Sequence, residues 1–174
     1  MKGDAMFKIL VPVDGSQAAL LGVHHAIERA RTHSGGALLH LVNIQPKLSR
    51  HVGRFVPGRA IRDGMAARGK RQLAASVALA EASGVATRAT VLRGKVADEL
   101  RRFAVTEGVS EMVIGAASKS PLLRFLTGSV TGSILATAPV PVSVVAGPPL
   151  SALQRYGIPA GVGLGLAALI LAGE

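Results

Sequence analysis

Short aliphatic runs and segments of helical period alternate through residues 7–145, with glycine or Asx punctuation at most junctions. Phe7–Val13 is apolar and β-branched and ends in Asp14-Gly15-Ser16, a strand closing in a turn and a helix N-cap. Pro12 has no N–H, which suits the end of that strand better than its middle. Leu20, Val23, Ile27 and Ala30 then return at helical spacing until Ser34-Gly35-Gly36. Ala37–Asn43 is a second buried strand. A helix from about Arg59 to Ser83 follows, with Leu73, Val77 and Ala80 on one face and Arg68 and Arg71 off it. Val85–Leu92 is a third, less apolar strand, and Val96, Leu100 and Phe103 mark a helix stopped by Gly108. Ser110–Ile114 is a fourth strand, followed by a turn-rich stretch from Gly115 to Gly128, a short helix over Ser129–Thr137 and a fifth strand, Val140–Val145.

Strands joined through single helices must run parallel, and such crossovers are right-handed. The expected fold is therefore α/β: a doubly wound five-stranded parallel sheet with helices on both faces. Ligands of such sheets bind outside the carboxyl ends of the strands, where strand order reverses. The stretches at Asp14, Asn43 and Gly115 fall on that rim.

Composition narrows the chemistry. The 174 residues contain no Cys, which removes disulfides, thiol catalysis and cysteine-held metal clusters. Only Phe7, Phe55, Phe103, Phe125 and Tyr156 are aromatic, so the core is aliphatic. No signal peptide is visible after Met1, and a cytoplasmic location is expected. The net charge is +10, and Lys47–Arg71 carries +7 of it, with eight basic residues against Asp63 alone. Such a block is a solvated loop or a surface for an anion, a nucleic acid, an acidic partner or an anionic membrane. No helix-turn-helix or aromatic platform accompanies the charge, so specific nucleic-acid binding is not expected.

Motifs for bond-making chemistry fail on inspection. Gly64 to Arg71 approaches a P-loop, but Arg71 stands where the metal-binding hydroxyl belongs and no strand precedes it. Gly161, Gly163 and Gly165 lack the spacing of a dinucleotide fingerprint, and there is no nucleophile elbow. His24, His25, His33, His40 and His51 lack ligand spacing to acidic residues, and His40 reads as a satisfied core histidine. No catalytic residue and no metal site follow. The best remaining candidate is Gly115-Ala-Ala-Ser118 with Gly128-Ser129. The glycine allows close backbone approach, and Gly128-Ser129 opens a helix whose free N–H groups and dipole suit an anion. A plain strand-to-helix connection with Ser129 as N-cap fits the same residues.

Val11-Pro12-Val13-Asp14-Gly15-Ser16, Leu38-Leu39-His40-Leu41-Val42, the Gly115…Gly128-Ser129 segment and Ala138-Pro139-Val140-Pro141-Val142 together resemble the universal stress protein family, in order, across Phe7–Val145. The resemblance implies an adenine-nucleotide alpha-hydrolase-like fold. Nucleotide-binding members of that family carry Gly, two residues, Gly, nine residues, then Gly and Ser or Thr. Here Gly115, Gly128 and Ser129 match, and Ser118 replaces the second glycine. Its side chain would crowd phosphates or donate a hydroxyl to them. By the same resemblance, Pro12, Val13 and Asp14 would line the adenine and ribose side, with Leu41 beside the base. Ile114 and Gly115 would flank the nucleotide, and Ser118, Gly128, Ser129 and Val130 would hold phosphates. Asp14 would orient Mg²⁺ or a ribose hydroxyl, or else simply shape the turn before the first helix.

The expectation is thus a regulatory module of the stress response that binds ATP or another adenine nucleotide, with slow hydrolysis at most, and passes its state to an unidentified protein partner. The alternative is a dimeric interaction module that binds no nucleotide. In either case the Val140–Val145 edge strand would mediate a homodimer, as the corresponding strand does in the family. The α/β domain is expected over 1–147, followed by an apolar, Gly-rich tail over 148–174. Tyr156–Gly173 carries no charge over eighteen residues, about 27 Å as a helix against a hydrocarbon core of about 30 Å. It reads as an anchor to the inner face of the membrane, an arm packed on a partner subunit, or a loose tail.

Overall fold

The computed structural model describes residues 6–47, 58–116 and 138–146. Their elements run β1 (Phe7–Pro12), α1 (Gln17–Arg31), β2 (Ala37–Gln45), α2 (Gly58–Ala82), β3 (Ala86–Arg93), α3 (Val96–Glu107), β4 (Glu111–Ala116) and β5 (Val142–Ala146). The five strands form one parallel sheet in the order β3-β2-β1-β4-β5. Chain order reverses at β1, between β2 on one side and β4 on the other, which makes the carboxyl ends of β1 and β4 the topological switch point. The short helix expected over Ser129–Thr137 lies outside the described residues.

Period-two alternation divides the core between the two faces. Ile9, Val11, Val13, Leu39, Leu41 and Val113 point to one face, beneath Val23 and Ile27 of α1 and Leu73 and Ala80 of α2. Leu10, Val42, Met112 and Ile114 point to the other, beneath Leu100 and Ala104 of α3. Helices therefore cover both faces.

Element ends differ from the sequence reading for local reasons. β2 continues past Asn43 to Gln45 because its amide side chains find partners, described below. β4 runs through Gly115 to Ala116 instead of stopping at Ile114, because Gly115 and Ala116 pair with Val145 and Ala146. β5 begins at Val142, not Val140. Pro141 has no N–H to give the ladder, and its carbonyl accepts from Met112 N at 2.9 Å. α1 ends at Arg31, ahead of Ser34-Gly35-Gly36, where Thr32 caps it through its own hydroxyl on Arg29 O. α3 stops where expected, with Gly108 in the left-handed region at φ 61°.

Candidate functional site

At the carboxyl end of β1 the chain turns through Asp14-Gly15-Ser16 into α1. Ser16 N donates to Asp14 Oδ1 at 3.0 Å, an Asx turn, and Ala19 N donates to Ser16 Oγ at 3.1 Å, so Ser16 is the N-cap. Gly15 takes φ +83°, which an L side chain rarely adopts. The other carboxylate oxygen, Asp14 Oδ2, is buried and has no hydrogen-bond partner among the described residues. Both readings of Asp14 thus fit: one oxygen shapes the turn, and the other is left without a donor.

The backbone behind Asp14 is held by an amide cluster. Asn43 Nδ2 donates to Val13 O at 2.7 Å, and Gln72 Nε2 of α2 donates to Asp14 O at 2.9 Å. Gln45 Nε2 bridges the two side chains, donating to Asn43 Oδ1 at 2.6 Å and Gln72 Oε1 at 2.7 Å. Buried polar atoms carry a cost unless paired, so a satisfied cluster of this kind fixes one geometry for the rim. Asn43 was legible as a rim residue, but Gln45 and Gln72 were not. The signal lay in β2, where Leu39 and Leu41 are followed on the same face by two amides.

β4 supplies the facing side of the switch point. Hydrogen bonding between β1 and β4 is confined to Ile9–Leu10 and Glu111–Met112, so the two strand ends share no ladder at the rim. Gly115 lies there, and its backbone is in close contact with α1. A Cβ on Gly115 would stand 1.7 Å from Ala18 O, and one on Gly22 would stand 2.7 Å from Gly115 N. The close backbone approach at Gly115 is made by the first turns of α1. The strand end and the helix start are in direct contact only because both positions are glycine.

The structure brings Pro12, Val13, Asp14, Ile114 and Gly115 to one end of the sheet. Asp14 is half-buried and the other four are buried. Leu41, on β2, is 0% exposed and belongs to the core beneath α1 and α2. Ser118, Gly128, Ser129 and Val130 lie outside the described residues. Within the described residues no cluster of metal-ligating side chains occurs, and no helix is long and apolar enough to cross a membrane. The uncharged tail lies outside them.

Comparison with known proteins follows the same outline. The sequence profile of the universal stress protein family matches residues 6–146. Universal stress protein MJ0531 of Methanocaldococcus jannaschii is 31% identical over 144 residues, 81% of this chain and 82% of that protein. Among solved structures, a universal stress family protein of Burkholderia pseudomallei aligns with TM-score 0.60 at 28% identity, over 82% of this chain and 98% of its own. The universal stress protein of Archaeoglobus fulgidus in complex with dAMP aligns with TM-score 0.57 at 22% identity, over 81% and 98%. At that identity the likeness concerns the fold.

Proposed function

The chain belongs to the universal stress protein family, and on that premise we propose that it binds an adenine nucleotide, ATP with Mg²⁺, at the switch point between β1 and β4. It would act there as a regulatory module of the stress response. The observation that carries the reading is Asp14 Oδ2, a buried carboxylate oxygen with no donor among the described residues, at the rim where doubly wound sheets take their ligands. A ribose hydroxyl or a water on Mg²⁺ is the kind of donor it lacks. The dAMP held by the Archaeoglobus fulgidus protein, which shares the fold, adds support.

Asp14 would hold the ribose side, with Pro12, Val13 and Leu41 forming the wall behind the base and Ile114 and Gly115 the opposite wall. Ser118, Gly128, Ser129 and Val130 would take the phosphates. Mg²⁺, when bound with the nucleotide, supplies neutralisation of phosphate charge. α2 begins at the same rim, and Arg59, Arg62, Arg68, Lys70 and Arg71 are exposed along it, a field that favours anions. The reading assigns no catalytic residue. A homodimer through the β5 edge, a cytoplasmic location and an α/β domain over 1–147 complete it.

The burial of Pro12, Val13, Leu41, Ile114 and Gly115 favours the second reading, a dimeric interaction module without nucleotide. One titration decides between them. Fluorescent ATP with Mg²⁺ should bind wild type with micromolar affinity and bind Asp14→Ala and Gly128→Leu at least about tenfold more weakly. Absence of saturable binding at millimolar nucleotide would overturn the first reading and leave the second.

A further inference from the structure

Among the described residues, part of one sheet face has no helix over it. The β1-α1-β2 and β2-α2-β3 crossovers advance in one direction and place their helices on one face. The β3-α3-β4 crossover returns in the other direction, so α3 lies on the opposite face, packed on Leu10, Met112 and Ile114. Between α3 and the outer strands on that face is a cleft of 340 Å³, within the size range of small-molecule sites. His40 of β2 lines it, with Arg88 and Thr90 of β3 and Arg102 and Phe103 of α3 around it.

His40 is the unusual member. Its side chain is 2% exposed, and its ring meets Phe103 edge-on, with centroids 5.3 Å apart and planes at 74°. Nε2 has no hydrogen-bond partner among the described residues. The ring is therefore buried as the sequence suggested but not satisfied, and an unpaired buried polar atom disfavours the fold unless something else meets it. Burial holds the imidazole below its ordinary pKa. Glu107 opposes that shift, and Lys8 and Arg88 add to it. A neutral ring on the cleft wall can accept or donate one hydrogen bond.

The lining carries two guanidinium groups and one carboxylate. Arg88 and Arg102 line the cleft against Glu107. The main-chain oxygen of Glu107 is already taken by Lys8 Nζ, and Arg102 keeps an exposed contact with Glu99 on its own helix. A guanidinium group binds an oxyanion through directed, charge-assisted hydrogen bonds, and Phe103 offers an apolar ring to the same cleft.

We propose that this cleft is a second ligand site, for a small organic acid whose planar apolar body lies against Phe103 and over His40 and whose carboxylate or phosphate group is held by Arg88 and Arg102. The site stands apart from the nucleotide rim. His40 sits at the middle of β2, aligned with Leu10 and Arg88, and it points to the face away from α1 and α2.

The test is titration of the full chain with benzoate and, separately, with phenyl phosphate, following the His40 imidazole and Phe103 ring resonances by NMR. Saturable shifts of both residues with either acid are expected, and the acid that binds more tightly identifies the preferred anionic group. Arg88 and Arg102 are exposed, so the Arg88→Gln/Arg102→Gln variant keeps its core and should bind at least about tenfold more weakly. Three outcomes would overturn the proposal: no saturable shift with either acid, unchanged affinity in the double variant, or equal affinity for neutral benzyl alcohol. None depends on whether ATP binds, because Asp14 takes no part in the readout.

Discussion

Glu111 is the side chain through which α1, β4 and β5 are joined. The residue is buried, and its carboxylate accepts from Arg29 Nη2 at 2.9 Å and from Ser143 Oγ at 2.6 Å. Burial alone would raise its pKa, but the hydrogen bonds from Ser143 and Arg29, with the charges of Arg29 and His25, outweigh burial and hold it below 4.5. A folded-state pKa below the unfolded one means stability that is present above 4.5 and lost as pH falls through the folded value. Glu111→Gln should therefore destabilise the fold by about 1–3 kcal/mol at neutral pH, lower Tm accordingly, and flatten the acid limb of a pH series of thermal melts. His40 titrates with the opposite charge. Its folded pKa lies below 6.5, so under acid the unfolded chain takes the proton first and the native state loses stability as pH falls below 6.5. In His40→Gln the decline in Tm from neutral pH down towards 5 should be shallower than in wild type, whatever the offset between the two curves. An equal slope in both would show that His40 does not bear that penalty. For His40 the sequence showed the burial but not the missing partner, and the Glu111 environment was not legible because Arg29, Glu111 and Ser143 are far apart along the chain and meet only when α1 packs on β4 and β5 pairs with it.

Glycines separate the elements that must touch from those that need not. Gly22 of α1 lies against Gly115 of β4, and an added Cβ would enter backbone that has no room to shift. Gly22→Ala should destabilise the fold by about 2 kcal/mol or more, as an overpacked contact does. Gly64, in the exposed first half of α2, would meet nothing within 4 Å, and its φ is not positive. Gly64→Ala should raise stability by about 0.5–1 kcal/mol, and denaturant melts of the two variants should move in opposite directions. α2 spans 25 residues, about 37 Å, whereas the nine residues of β2 span about 30 Å, and none of its residues is buried before Gly69. The helix therefore overhangs the rim, and several positive charges of the Lys47–Arg71 window are carried on that overhang. The helical period revealed α2 and its Leu73, Val77 and Ala80 face. It could not show that the first three turns would lack a core to cover, because that depends on where the sheet ends.

In the whole molecule the edge strands are where the proposed association would be decided. β5 pairs with β4 alone among the described strands, and Val144 is 50% exposed there. An apolar residue on a sheet edge favours pairing and a charge opposes it, so Val144→Lys should convert the proposed dimer to a monomer by solution mass. A wild type that is already monomeric at micromolar concentration would remove that proposal. The sequence by itself determined the class of fold. Strand-length apolar runs joined through helical segments admit little besides a parallel sheet with right-handed crossovers, and the turn at Asp14-Gly15-Ser16 carries its own φ and capping requirements. Both are local or nearest-neighbour properties, written in period and turn chemistry. Only the tertiary structure decided that Gly115 serves the approach of α1, that Gln45 and Gln72 close an amide cluster behind Asp14, and that His40 stands on a cleft with no partner for Nε2 among the described residues. Those depend on which face a residue shares with elements distant in sequence, and burial, pairing and pKa are set there.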